Sequence, residues 1–202
     1  MSSRQTKKQK PHVFLDLDQT LISAEADEDY DFKKYKKKAK LFDYEDMDGY
    51  YIVFARPGLQ KFLDYLFENF TVSIWTAASK DYALFIIEKL ILAGKSNRKL
   101  DWVFFSYHCD ISKKYKKASK SLSMIWDIYK LDGYSKDNTV IIDDYDEVYD
   151  TQPDNCIIAV PFEFTSEGSE KDTFLKDLQP KLESMRQNIS NNKGRPAREC
   201  NL

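Results

Sequence analysis

Two short apolar stretches of this chain run directly into paired acids. Val13-Phe14-Leu15 leads into Asp16-Leu17-Asp18-Gln19-Thr20, and Thr139-Val140-Ile141-Ile142 leads into Asp143-Asp144. A third stretch, Thr71 to Trp75, ends at Thr76, and the segment from Ile111 to Lys120 carries Lys113, Lys114, Lys116, Lys117 and Lys120. A single Asp after a strand is most simply a turn former. Two strands that each end in a pair of acids ask for more. Unit charges about 4 Å apart interact by about 4 kcal/mol at an effective dielectric of about 20, so carboxylates gathered beside a phosphate need a cation. A lysine and a divalent ion supply it. Mg²⁺ binds through one or two carboxylates and leaves the rest of its octahedron to water and substrate phosphate, which suits a site built from acids.

The composition removes competing chemistries. The chain has 202 residues and only 6 glycines, of which Gly49 and Gly58 are the nearest pair, too far apart for GxxxxGK[ST] or GxGxxG. Two isolated histidines, His12 and His108, exclude HExxH, and three scattered cysteines, Cys109, Cys156 and Cys200, exclude a CxxC pair or a four-thiolate zinc site. An odd, sparse cysteine set fits a reducing compartment. With 33 acids against 31 bases, any metal site is expected to be oxygen-ligated, and the net charge of -2 argues against generic nucleic-acid binding. No apolar run approaches the roughly 18 residues of a membrane span, and the polar start has no apolar signal region. A soluble, intracellular, monomeric protein with no membrane partner is the expectation.

The elements that must position these residues follow from periodicity. Leu59, Phe62, Leu63, Leu66 and Phe67, after Arg56-Pro57-Gly58, have the spacing of an amphipathic helix, as do Ala83, Ile86, Ile87, Leu90 and Ile91. Leu122, Ile125, Trp126 and Tyr129 predict a third helix. Phe174, Leu175, Leu178, Leu182 and Met185 predict a closing one that Pro180 bends or splits. Strands are predicted at 13–15, 50–54, 71–75, 102–105, 139–142 and 157–160. Short all-apolar strands alternating with helices predict an α/β fold, a parallel sheet covered by helices on both faces. Ligands in such folds lie at the carboxyl ends of the strands. Residues 1–11 read as a flexible basic arm, 12–189 as one domain and 190–202 as a flexible tail. Residues 24–54, acidic, then basic, then acidic, read as a charged insertion after the first strand.

VFLDLDQTL resembles the DxDxT signature of haloacid-dehalogenase (HAD) superfamily phosphatases. Arg56-Pro57-Gly58, WTAASKDYA and IIDDYDEVYDTQPDN are similar, in order and spacing, to the FCP/SCP branch, the phosphatases of the RNA polymerase II carboxy-terminal domain. The likeness runs from about residue 12 to 186 and implies a HAD-like, Rossmannoid sheet. It implies that Asp16 is the nucleophile, forming an aspartyl-phosphate, and that Asp18 is first the acid and then the base. Thr20 would orient the loop, and Thr76 would offer its hydroxyl to a phosphoryl oxygen. Mg²⁺ would be held by the Asp16 carboxylate, the Asp18 backbone carbonyl and the Asp144 carboxylate, with Asp143 holding the catalytic lysine. Among five candidate lysines the resemblance favours Lys120, at the start of a helix; the others read as a solvated loop. Gln19 replaces a common Glu at a position that is not a ligand. Asp-Asp-Tyr-Asp replaces the frequent Asp-Asn/Asp-Ser-Pro, leaving the ligand in place.

The implied substrate is a phosphoserine or phosphothreonine in an acidic, extended protein tail, with nuclear location implied by the resemblance alone. In the insertion, the lysine run would attract such a tail while Tyr30, Phe32, Tyr35, Phe42 and Tyr44 pack on it; a disordered charged loop is the competing reading. Two other functions fit the same fold: a phosphatase of small molecules or nucleic-acid ends, and a non-catalytic adaptor.

Overall fold

The computed structural model describes residues 10–26 and 32–190. The basic arm and the tail therefore lie outside the described residues, save for Lys10, Pro11 and Ser190. Lys10 and Pro11 make contact with the fold: Lys10 Nζ donates to Phe67 O at 3.1 Å, and Pro11 O accepts from Thr71 N at 2.9 Å.

The chain forms β1 (His12–Leu15), β2 (Ile22–Ala26), α1 (Phe32–Ala39), β3 (Tyr44–Met47), β4 (Tyr51–Ala55), α2 (Leu59–Asn69) and β5 (Thr71–Trp75). Next come α3 (Lys80–Ile86), β6 (Val103–Phe104), α4 (Ser106–Lys116) and α5 (Ser123–Asp127). Then follow β7 (Thr139–Asp143), α6 (Asp146–Thr151), β8 (Cys156–Ile158) and α7 (Phe174–Ser190). Five strands make one sheet in the order β6-β5-β1-β7-β8, every pair parallel. The chain winds to one side of β1 through β5 and β6, then returns to the other through β7 and β8. That reversal opens a crevice at the carboxyl ends of the central strands.

Strand alternation assigns the two faces. Val13 and Leu15, with Val72, Ile74, Val140 and Ile142, face a core completed by α2, α3 and α7. Phe14, with Trp75, Phe104 and Ile141, faces a second core completed by Cys109, Leu122, Met124, Ile125 and Val148 of the α4–α6 side. The expected helices on both faces are present. No helix among the described residues is long and apolar enough to cross a membrane.

Three local readings need correction. The lysine-rich segment is not a loop: Lys113, Lys114 and Lys116 lie on α4, which buries Cys109 and Ser112. The helix predicted around Leu122–Tyr129 is only the five residues of α5. Pro180 does not split α7, which runs unbroken past it and buries Leu178 and Leu182 on either side. The α3 helix continues as a π turn, Ile87–Leu92. Side chains serve the carbonyls there: Gln60 Nε2 donates to Leu90 O at 2.9 Å and Arg98 Nη1 to Ile91 O at 2.6 Å.

The insertion is folded over its described residues. Strands β2, β4 and β3 form an antiparallel sheet, and α1 packs on it through Ala39 and Tyr35. Phe54 stacks on Phe164 with ring centroids 3.6 Å apart, and Phe42 packs beside them. Tyr35 and Phe42 are thus small-core residues and not a peptide-binding surface. Tyr30 lies outside the described residues. Tyr44 remains exposed, as do Lys33, Lys36 and Lys37 on the opposite face of α1.

Candidate active site

Register brings the first acids together. Phe14 pairs with Ile141 and Leu15 with Ile142, so the next position sets Asp16 beside Asp143, both on the face covered by α4 and α5. Asp16 N donates to Ile142 O at 3.0 Å, extending the ladder to Asp16. From the turn between α4 and α5, and not from the start of a helix as expected, Lys120 reaches in: its Nζ lies 2.8 Å from Asp16 Oδ1 and 2.7 Å from Asp143 Oδ2. Asp16, Lys120 and Asp143 are all buried. Burial works against the lysine's charge, but Asp16 and Asp143 outweigh it and hold the ammonium above its ordinary pKa. Burial, with the charge of Asp16, pushes the Asp143 carboxyl up. Its two oxygens accept from Lys120 Nζ and, at 3.0 Å, from Tyr145 N, donors that favour the anion and oppose that rise.

After β1 the chain turns sharply. Gln19 adopts a left-handed conformation, φ 57, its N–H donates to Ile22 O at 2.8 Å, and its carbonyl accepts from Phe162 N at 2.7 Å. This turn presents Asp18 and Thr20. Thr20 Oγ1 donates to Asp144 Oδ1 at 3.0 Å, joining the two acidic strand ends. Burial, then the negative charge of Asp16, pushes the Asp144 carboxyl up to about 6. Asp18 is likewise raised by burial, opposed by the hydroxyl of Tyr82, which donates to Asp18 Oδ1 at 2.5 Å. Thr76 is buried at the end of β5; its Oγ1 accepts from Ala78 N at 3.0 Å and its main-chain N–H donates to Phe104 O at 2.9 Å.

Carboxylate oxygens of Asp16, Asp143 and Asp144 lie within 4.8 Å of one another. Adding Asp18, four carboxylates gather near one ammonium, and Asp18, Asp143 and Asp144 are each raised by burial first, with the charge of Asp16 adding to it. A hard divalent cation fits this all-oxygen set. Asp143 is the least suited to hold it, because both of its oxygens already accept hydrogen bonds. Asp16 and Asp144 are the two carboxylates of this cluster that the resemblance implied as metal ligands, together with the Asp18 carbonyl.

Two residues given no role from sequence belong to this site's support. Arg56 is buried, 1% exposed, and its Nη1 donates to Thr20 O at 3.0 Å and Val160 O at 2.9 Å. Its other edge makes a fork on Asp172, Nε to Oδ1 at 2.9 Å and Nη2 to Oδ2 at 2.8 Å. It therefore ties the acid-bearing loop to the start of α7. Tyr82, on α3, joins Asp18 to the insertion by packing edge-on against Tyr51, centroids 5.3 Å apart. Both sit inside the quoted motifs, Arg-Pro-Gly and WTAASKDYA, and that placement is the signal that could have found them.

The family of NLI interacting factor-like phosphatases matches this chain over residues 11–192. A putative CTD phosphatase-like protein, 355R, of Invertebrate iridescent virus 6 is 50% identical over 175 residues, covering 85% of this chain and 96% of the viral protein. Its counterpart in Invertebrate iridescent virus 3 is 42% identical over 183 residues, with 88% and 97% covered. Among solved structures, the fission yeast RNA polymerase II CTD phosphatase Fcp1 bound to beryllium fluoride superposes with a TM-score of 0.55 at 22% identity. That likeness covers 94% of this chain and 54% of Fcp1, so the chain spans about half of that protein, and what is shared is the HAD-like fold. With the family matched across nearly its whole length, by sequence and by fold, this chain belongs to the NLI interacting factor-like phosphatases.

Proposed function

We propose that this chain is a Mg²⁺-dependent phosphoprotein phosphatase that hydrolyses phosphoserine or phosphothreonine through an aspartyl-phosphate on Asp16. The observation that carries the reading is the Asp16–Lys120–Asp143 contact at the carboxyl end of the central strand, with Asp144 and Thr20 beside it. A carboxylate oxygen of Asp16 attacks phosphorus as the ester P–O bond breaks, and Asp18 gives its proton to the departing seryl or threonyl oxygen. Burial raises the Asp18 carboxyl, which favours the protonated form this step needs. Asp18 then takes a proton from the water that cleaves the acyl phosphate, restoring Asp16 and releasing phosphate. Lys120 neutralises charge on Asp16 and on the phosphoryl oxygens, Asp143 holds Lys120, and Thr76 orients the phosphoryl group. Mg²⁺, held by the carboxylates of Asp16 and Asp144 and the Asp18 carbonyl, would supply further neutralisation of the transferring group.

The substrate in this reading is a phosphorylated, extended protein tail that crosses the insertion, where Lys33, Lys36 and Lys37 are exposed and Tyr51 leads through Tyr82 to Asp18. Residues 12–189 would form the phosphatase domain. The test is hydrolysis of an aryl phosphate and a phosphoserine peptide by wild type and Asp16→Asn, with Mg²⁺ and with chelator. Turnover is expected only for wild type with metal. Activity surviving Asp16→Asn or metal removal would overturn the mechanism, and inactivity on every phosphoester would favour a binding role.

A further inference from the structure

Lys120 reaches the site from a turn and not from a helix. Residues 117–122 link α4 to α5, beginning with Lys117 in the left-handed region at φ 60. The main chain of four consecutive residues in this link is held by side chains. Ser119 N donates to Glu147 Oε1 at 3.1 Å, and the Ser119 hydroxyl donates to the other oxygen of the same carboxylate. The carbonyl of Lys120 accepts from Gln152 Nε2 at 2.7 Å. Ser121 N donates to Ser112 Oγ at 2.9 Å. Leu122 N donates to Gln152 Oε1 at 2.9 Å.

Gln152 is the central member. Its amide gives its donor to the lysine's own carbonyl and its acceptor to the N–H two residues later, so it holds the chain directly after Lys120 while Glu147 holds Ser119 directly before it. Glu147 lies on α6 and Gln152 at its C-terminal cap, the helix that follows the Asp143-Asp144 strand end. One unit thus carries both the carboxylate that receives the ammonium and the side chains that hold the lysine's main chain. A lysine side chain has about 2 kcal/mol of rotamer freedom, so an ammonium placed between two carboxylates needs a fixed starting point.

We propose that Gln152, supported by Glu147, is a positioning residue for Lys120 that keeps its ammonium between Asp16 and Asp143 during phosphoryl transfer. This rests on the functional reading of the site given above. Gln152 touches no reacting atom and acts through the lysine.

The test uses the full chain and Gln152→Met, which keeps length and bulk but removes donor and acceptor. Hydrolysis of an aryl phosphate at saturating Mg²⁺ should show kcat lowered about 10- to 100-fold, the range for a catalytic group displaced by about 1 Å. KM should stay within about twofold, the mark of an interaction needed in the transition state only. A second readout is the ¹⁵N-¹H signal of the buried Lys120 ammonium, assigned by its loss in Lys120→Met. It should be sharp in wild type and broadened or shifted in Gln152→Met. An unchanged kcat in folded Gln152→Met, or a reduced kcat with an unchanged ammonium signal, would overturn the proposal. If Gln152→Met fails to fold, Glu147→Gln is measured in the same two ways, with a smaller kcat loss expected, and an unchanged ammonium signal there also overturns it. Failure of the site reading looks different: Asp16→Asn would stay active or wild type would be inert, while the ammonium signal would still report whether Gln152 holds the lysine.

Discussion

Arg56 makes a quantitative case for how the site is held. Replacing it with methionine keeps much of the bulk against Phe174, whose ring centroid lies 4.4 Å from the guanidinium carbon, and removes every donor. Four hydrogen bonds are lost: two to Asp172 and one each to the carbonyls of Thr20 and Val160. Removing one partner of a fully buried pair costs about 3–5 kcal/mol. The Asp172 side chain keeps 19% exposure, so water takes over part of its carboxylate and the low end of that range applies. Two carbonyls left without their donor add about 1 kcal/mol in total after relaxation. The expected destabilisation is about 4 kcal/mol, a large share of the 5–15 kcal/mol of an ordinary domain. Urea unfolding followed by tryptophan fluorescence measures it. Asp172→Leu and the double variant complete a cycle in which the combined cost should fall short of the sum by about 2 kcal/mol or more, because the double variant strands no charge. A cost under about 1 kcal/mol for Arg56→Met, or strictly additive costs, would refute the clamp.

Three further outcomes are expected. Thr20→Val removes the hydroxyl that donates to Asp144 Oδ1 at 3.0 Å, so the Mg²⁺ concentration for half-maximal activity, and the calorimetric Mg²⁺ affinity, should worsen by about tenfold; an unchanged requirement would remove Thr20 from the metal's support. His12 is 5% exposed against Tyr134, and burial lowers its pKa from 6.5, opposed by Asp101 and the Gly133 backbone. The folded state therefore resists protonation more than the unfolded chain, and this contribution to stability is present above about pH 6.5 and lost as pH falls through it. Wild type minus His12→Phe in urea midpoints from about pH 7.5 to 5.5 isolates that loss from the carboxylates, and a pH-independent difference would refute it. Activity on a multiply phosphorylated acidic peptide should fall from about 50 to 500 mM salt, and with Lys36→Glu/Lys37→Glu, while aryl phosphate turnover holds; equal sensitivity of both substrates would exclude steering by the insertion.

The sheet and the acid positions were legible because parallel strands carry a local signature. Each is short, apolar on both faces, and followed by a polar turn at the end where ligands bind. Even the register of Asp16 and Asp143 follows from alternation, each standing two residues past a core side chain of the same face. The α4 helix was not legible because its buried side includes Cys109 and Ser112 and lacks an apolar stripe. Ser112 is buried as an acceptor for Ser121 N, a use that periodicity does not register. Arg56 was hidden for a related reason: charge reads as solvent-facing until a partner 116 residues away is known. Tyr35 and Phe42 were misplaced because the ring they pack on, Phe164, arrives only after β8.

The divergence of two adjacent acids can be traced to the same geometry. Asp143 is the last residue of β7 and points into the covered face, where an ammonium and a main-chain N–H take both of its oxygens. Asp144 leaves the strand, turns out of that core and stays half-buried, with Oδ1 taken by Thr20. In the proposed mechanism a cation at the crevice would meet Asp144 and Asp16, while Asp143 serves the lysine. In the proposed mechanism this division keeps two positive charges on either side of the Asp16 carboxylate without competing for one ligand. In the same reading the lysine would need a rigid mount: if the ammonium slid from Asp143 toward Asp144, it would take the oxygens proposed to hold the metal.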